Sequence, residues 1–390
     1  MFACCRRADD GGERGGRDDA LRARLETNGT FHAPTGRTIA TNDVGDAPET
    51  SRETTTDAYG FALDPDAVAT REATRERRED EYWTRARGET TERTLIEARE
   101  ARDPALKRAT RRGVPMDLRC DAWFAASGAR ELMRMGPTEG YYEKLLLMRV
   151  DEKVVDQIEL DLARTFPANA RYERDANGVE GNDVLRRMLY AYARHNRKTG
   201  YCQGMNYIAA FLWLVMGDEE KAFWTFTALL DVVLPNDVHA RDIKGTISQY
   251  KILHKLLDVN APKVAKHLKE LDVDLVMIAS KWLLCLFVES FPATTAARVL
   301  DCITYEGEKV WFRVAIAMMK MYEAEILSCK SLPDVMLCLK HAYANQTDAD
   351  ALLTFAFERV SLANKTIANY RRIVEQKMYD EDLARTTRNP

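Results

Sequence analysis

Residues 200–217 read GYCQGMNYIAAFLWLVMG. From Met205 to Met216 the chain is apolar nearly all the way round, and Met205, Ile208, Ala209, Leu212 and Met216 recur at the period of a helix, not of a strand. Gly217 stands where a left-handed residue would end that helix. A helix without a polar face has to be covered on every side, so this one belongs at the centre of a fold. Just before it, Gly200 ends a preceding helix and Gly204 lets the backbone come close to a neighbour, which leaves Gln203 near the positive end of the next helix dipole. A carboxamide is a poor base and a poor nucleophile. What Gln203 can do is position another group, by donating and accepting hydrogen bonds at once.

Outward from this stretch the same period continues. In NDVLRRMLYAYARHN (182–196) the pairs Val184/Leu185 and Met188/Leu189, then Tyr192, share one face, with Asn182 or Asp183 placed to cap the first turn. Further helical periods cover 219–231, 246–257, 261–270, 275–290, 294–304 and 308–327, punctuated by Pro235, Pro262, Pro292 and Gly307. Three more are expected beyond Pro333, among them DADALLTFAFERV (348–360) and NKTIANYRRIVEQKMYDEDL (364–383). Sustained strand-type alternation is absent. The spacing therefore predicts an all-α chain with a single large domain of about a dozen helices over 111–340, followed by C-terminal helices over 341–390. Residues 1–55 are rich in Gly, Asp, Glu, Arg and Thr and are expected to form a disordered N-terminal tail. Residues 56–110 read as a helical lead-in, with Trp83, Leu95 and Ile96 as the few large apolar side chains and little core of its own.

Composition excludes several classes of function. A net charge of −4 over 390 residues, with no stacked-aromatic motif, offers nothing to a phosphate backbone, so no nucleic-acid partner is expected. The eight cysteines form no C-x-x-C and mostly lie in apolar segments, as reduced core thiols do, which points to a cytoplasmic setting. No signal peptide opens the sequence and no apolar run reaches the length of a spanning helix. The start Cys4-Cys5-Arg6-Arg7 has the chemistry of a doubly acylated anchor with a basic flank, which would place the chain peripherally on endomembranes; two adjacent cysteines in a loose tail are the plainer reading. The six histidines form no H-E-x-x-H and no zinc spacing with cysteine, and no phosphate-cradling glycine motif occurs, so neither a metal site nor a nucleotide site of the chain's own is expected. Cys202 could be taken for a hydrolase nucleophile with His195, His239 or His341 as base, but nothing in the sequence lowers its thiol pKa, and a small half-buried residue is the better reading.

A second polar exception lies in QIELDLARTFP (157–167), where Ile158, Asp161, Leu162 and Thr165 share a helical face and Arg164 follows Asp161 by three residues. Taken alone, Asp161 and Arg164 read as a surface ion pair contributing at most about 1 kcal/mol.

Taken together, the two segments resemble a known family. IELDLAR (158–164) matches the I-x-x-D-x-x-R motif, and YCQGMN (201–206) the Y-x-Q motif, of the TBC (Tre-2/Bub2/Cdc16) domain of GTPase-activating proteins for Rab-type small GTPases. RRGVPMDLRCDAWFAASGA (111–129) resembles the family's opening stretch, with Arg119 and Trp123 in matching places. GDEEKAFW (217–224), Trp282, Pro292 and RVLDCITYEG (298–307) follow in family order, and DAYGF (57–61) resembles a lead-in seen before some members. Leu300 stands where the family usually has tryptophan.

The resemblance implies a TBC-type domain whose partner is a Rab-type small GTPase in its GTP-bound state. It implies no cofactor of the chain's own, GTP and magnesium being carried by the partner. Arg164 is then an arginine finger that neutralises charge on the transferring phosphoryl, and Gln203 a glutamine finger that orients the attacking water. Ile158, Asp161, Tyr201, Gly204, Arg119 and Trp123 take supporting roles, anchoring the two finger-bearing segments. The alternative is a catalytically idle scaffold that binds a GTPase through the same groove.

Overall fold

The structure, a computed structural model, describes residues 56–57, 59–62, 81–86, 91–172, 180–235 and 237–386. The tail expected over 1–55, with Cys4 and Cys5, lies outside the described residues. Among those described there is no strand, and the chain order is α1 (Glu81–Ala86), α2 (Thr91–Glu100), α3 (Pro104–Arg112), α4 (Arg119–Ser127), α5 (Ala129–Arg134), α6 (Tyr141–Leu146), α7 (Glu152–Leu162), α8 (Glu180–His195), α9 (Met205–Met216) and α10 (Glu219–Ala228). There follow α11 (Lys244–Asn260), α12 (Pro262–Glu270), α13 (Leu275–Leu284), α14 (Ala293–Glu306), α15 (Glu308–Met321), α16 (Glu323–Ser328), α17 (Leu332–Ala344), α18 (Ala349–Glu358) and α19 (Asn364–Thr386). None of these helices is long and apolar enough to cross a membrane.

α9 is central, as its all-round apolarity requires: every residue but Tyr207 and Val215 is buried, and α4, α7, α8 and α10 pack around it. Gly217 ends it in the left-handed region (φ 70°), its N–H returning to the Trp213 carbonyl at 2.9 Å. α8 starts earlier than its capping pattern implied. Asn182 and Asp183 lie inside the helix, and Asp183 binds Arg186 at 2.5 Å instead of capping. The period read over 275–290 also breaks, because α13 stops at Leu284 and Leu286 and Phe287 turn into the left-handed region (φ 48° and 63°). Both are fully buried, so the apolar pattern runs on through a turn that is not helical. α10 passes into a π-turn, Leu229–Val233, that carries Asp231.

The lead-in contributes more core than its composition promised. Trp83, Leu95 and Leu106 are at most 3% exposed and pack with Val114, Leu118, Ala122 and Ala125 into a second apolar cluster. A few large side chains suffice there because the facing wall on α4 is made of alanines. At the other end, Ile367 and Val374 of α19 are buried, α19 lies along α11, and Arg371 pairs with Glu308 at 2.5 Å. Leu300 is fully buried on α14, filling an apolar slot.

One buried polar knot joins the start of the domain to α14. Asp301 accepts Arg119 Nε at 3.0 Å, Trp123 Nε1 at 2.8 Å and the Val114 N–H at 3.1 Å. A buried carboxylate with this many donors is satisfied, whereas removing any one partner would leave charge or a polar atom stranded. Arg119 and Trp123 thus bind α14 through Asp301. Both side chains are spent on Asp301, except that one Arg119 nitrogen reaches the Tyr59 hydroxyl.

Candidate functional site

α7 is started by Asp151, whose carboxylate accepts the Lys153 N–H at 3.0 Å, and it turns Val154, Ile158, Asp161 and Leu162 inward. Ile158 is fully buried and fixes the last turns against the core. The chain then leaves the helix, with the Thr165 hydroxyl donating back to the Asp161 carbonyl at 2.6 Å and Phe166 held at φ 46°. Arg164, on this exit, keeps a side chain 40% exposed and pairs with the buried Asp161 carboxylate.

Residues 201–207, YCQGMN and the tyrosine that follows it, meet this exit at three points. Tyr201, itself buried, donates its hydroxyl to Asp161 Oδ2 at 2.5 Å, so one carboxylate holds Tyr201 on one oxygen and Arg164 on the other. Asn206 Nδ2 donates to Thr165 Oγ1 at 2.8 Å, and its Oδ1 accepts the Gly204 N–H at 3.0 Å. Tyr207 donates its hydroxyl to the Arg164 carbonyl at 3.2 Å. Two motifs some 40 positions apart are thereby locked side by side. Gly204 sits at φ 105°, and a Cβ there would lie 2.8 Å from the Leu284 carbonyl oxygen, so only glycine lets this backbone approach. Gln203 is half-buried, and its carboxamide makes no hydrogen bond within the described chain.

The approach to Gln203 is braced from behind. Asn196 Oδ1 accepts the Thr199 N–H at 3.1 Å, its carbonyl accepts the Gly200 N–H at 2.7 Å, and its Nδ2 donates to Asp231 Oδ1 at 3.0 Å. Asp231 also accepts the Tyr192 hydroxyl at 2.8 Å. The brace therefore rests on the π-turn, an irregularity that recurs near functional sites.

Burial raises the Asp161 pKa, and the bonds from Tyr201 and Arg164 only partly oppose it. Burial and the neighbouring Asp161 push the Tyr201 hydroxyl well up. The same two causes push the Cys202 thiol up to about 12, so Cys202 stays protonated and is no nucleophile. Its Sγ contacts the Gln203 carbonyl at 3.6 Å, while His195 lies beside Asp231 and His239 bonds the Leu284 carbonyl at 3.2 Å.

Of the residues expected at the site, Ile158, Asp161, Arg164, Tyr201, Gln203 and Gly204 fall on the two joined segments, and Arg119 and Trp123 fall elsewhere. Thr165, Asn206, Tyr207, Asn196 and Asp231 were not singled out for the site from the sequence. For Asn206 a signal existed: it is a lone carboxamide in the first turn of an otherwise apolar helix, and a fully buried amide has to find partners.

A profile of the Rab-GTPase-TBC domain matches residues 116–327. Growth hormone-regulated TBC protein 1-A of Danio rerio is 37% identical over 319 residues, covering 77% of this chain and 84% of that protein. Growth hormone-regulated TBC protein 1 of Homo sapiens is 37% identical over 238 residues, covering 60% of this chain and 68% of that protein. Among solved structures, the Chlamydomonas flagellar RabGAP TBC domain superposes with a TM-score of 0.64 at 29% identity, covering 78% of this chain and all of that one, 100%. The Ypt/Rab-GAP domain of Gyp1p shares the fold, with a TM-score of 0.55 at 19% identity over 65% of this chain and 91% of that one.

Proposed function

The chain belongs to the Rab-GTPase-TBC domain family, and from that premise we propose that it accelerates GTP hydrolysis on a Rab-type small GTPase by lending it Arg164 and Gln203. A small GTPase holds GTP and magnesium but hydrolyses slowly, for want of charge stabilisation at the transferring phosphoryl and of a firmly held water. Arg164 supplies the first, a planar fork of donors facing the phosphate oxygens. Gln203 supplies the second, accepting from the water and donating beside it. No base or metal of the chain's own enters, since the catalysis is positioning and electrostatics. We place this activity in residues 111–340, acting from the cytoplasm on GTPases of vesicle trafficking.

The observation that carries the reading is the double tie, Tyr201 to Asp161 and Asn206 to Thr165. It sets a partly exposed guanidinium and a carboxamide with no hydrogen-bond partner among the described residues on adjoining segments. The test is phosphate release from a panel of GTP-loaded Rab proteins. An arginine supplied in trans is worth about 10³ to 10⁵ in rate, or roughly 4 to 7 kcal/mol of barrier. Arg164→Ala, Arg164→Lys and Gln203→Ala should therefore remove nearly all acceleration while the melting temperature holds. An Arg164→Ala protein as active as the wild type on its best GTPase would sink the assignment. Binding without acceleration across the whole panel would make the chain a scaffold.

A further inference from the structure

We propose that the described residues 56–57 and 59–62 form a strap that positions the turn bearing Arg164, with Tyr59, Gly60 and Phe61 as positioning residues for the hydrolysis ascribed to Arg164; the proposal rests on that reading of Arg164. The strap is closed on itself. Asp57 Oδ1 accepts the N–H groups of Tyr59 and Phe61 at 2.9 and 3.0 Å, the Asp57 N–H donates to the Phe61 carbonyl at 2.7 Å, and Thr56 and Ala62 form an antiparallel bridge.

Among the described residues, its outer contacts fall on two sides. Towards the scaffold, the Tyr59 hydroxyl accepts from Arg119 and the Tyr59 ring lies 6.0 Å from that of Phe211 on α9. Towards the exit from α7, Asn169 Nδ2 donates to the Tyr59 carbonyl at 2.9 Å and the Ala170 N–H donates to the Gly60 carbonyl at 3.0 Å. The Phe61 ring meets Phe166 edge-on at 5.0 Å. The strap is thus a spacer between rigid scaffold and a segment, 163–172, that has no regular secondary structure.

That segment needs the help. Phe166, two residues after Arg164, is a non-glycine residue at φ 46°, a conformation that persists only where surroundings hold it. Asn169 is 1% exposed, and the strap supplies the acceptor for its Nδ2; its Oδ1 accepts the Arg171 N–H at 3.0 Å. Gly60 (φ 85°) fits because a Cβ there would lie 2.7 Å from Asn169 Oδ1. Phe166 in turn packs on Tyr207, at 5.3 Å, whose hydroxyl holds the Arg164 carbonyl. A continuous path of contacts leads from Phe61 to the backbone of the finger.

The experiment compares wild type, Phe61→Ala and Phe61→Leu in the full chain by phosphate release on the best GTPase, with kcat and KM separated. Displacement of a positioned group by about an ångström costs up to about a hundredfold. Phe61→Ala should lower kcat by about tenfold or more with KM changed less than about threefold, and Phe61→Leu should recover most of the loss. The decisive arm is amide hydrogen exchange beside the kinetics: Phe61→Ala should speed exchange over 164–172 in step with its loss of kcat, and Phe61→Leu should restore both. Wild-type kcat in Phe61→Ala, or a loss of kcat with exchange over 164–172 unchanged, would overturn the proposal. If the wild type accelerates no GTPase at all, the reading of Arg164 fails separately, and amide hydrogen exchange decides the strap: faster exchange over 164–172 in Phe61→Ala supports it, unchanged exchange overturns it.

Discussion

Thr165 offers the sharpest test of whether the two segments act as one unit. Its hydroxyl is 1% exposed, donates to the Asp161 carbonyl at 2.6 Å and accepts Asn206 Nδ2 at 2.8 Å. Thr165→Val keeps the side chain's outline and deletes both bonds. The stranded Nδ2 of Asn206 costs about 1–3 kcal/mol and the lost bond to Asp161 about 1 kcal/mol more, so the fold should lose roughly 2–4 kcal/mol and survive. The effect on rate follows a different route. Asn206 can recover an acceptor only by rotating, which withdraws Oδ1 from the Gly204 N–H and shifts the residue beside Gln203. At up to about a hundredfold per ångström, kcat for phosphate release should fall by about 10- to 100-fold. Urea titration measures the first number, and single-turnover hydrolysis on a GTP-loaded Rab the second. A variant that loses the stability but keeps the wild-type rate would refute the coupling, leaving the bond a packing feature.

Gly204→Ala forces a Cβ against the Leu284 carbonyl at a positive φ, and should both lower the denaturant midpoint, by about 1–3 kcal/mol of strain, and depress acceleration. Asp231→Ala removes the one oxygen that accepts from both Asn196 Nδ2 and the Tyr192 hydroxyl, so the loop to Gln203 should loosen and kcat fall by about tenfold, read by phosphate release beside Gln203→Ala. His239, 3% exposed and pushed down to about 4 by burial, is neutral in the fold. Because its folded pKa is below the ordinary 6.5, the unfolded chain binds the extra proton on acidification, and up to about 3 kcal/mol of stability present above pH 6.5 should drain away towards pH 4, a slope that His239→Gln should flatten in melts against pH. Asp161→Asn keeps an acceptor for Tyr201 but removes the buried charge; with the folded pKa raised, the variant should melt no lower than wild type at pH 7 while acceleration falls, and a large drop in melting temperature would contradict this.

The helices were legible because burial imposes a period that a sequence displays directly, as in Met205–Met216. Breaks inside apolar runs were not. Leu286 and Phe287 look like helix in the sequence because a buried turn is as apolar as a buried helix. Of the site, the parts held within one segment could be read, such as Asp161 beside Arg164. The parts that exist only through contact across the fold could not, and the Thr165–Asn206 bond spans 41 positions. DAYGF could be noticed as a string, but nothing in five residues says that they dock on the exit from α7. Arg119 and Trp123 were noticed, but the acceptor that claims both, Asp301, was not legible, because it lies 182 positions beyond Arg119.

Energetics separates the two readings of Asp161 and Arg164. As a contribution to folding the pair is poor: the guanidinium is 40% exposed, so its attraction is screened by water, while the carboxylate is 3% exposed and bears the loss of hydration. The raised pKa of Asp161 is the sign of that imbalance, since the partners do not restore what burial removes. A free arginine at 164 would serve the surface equally well. What the arrangement secures is direction: one oxygen fixed by Tyr201 leaves the other at a set place for Arg164, so the fork is held where a phosphate could take it over. Turning the guanidinium away leaves the buried Asp161 carboxylate with Tyr201 alone, so the exchange is favourable only where a phosphate repays that cost. On the reading proposed for Arg164, such a conditional tether on a rigid post keeps the side chain poised in the free protein and yields it only to an anion.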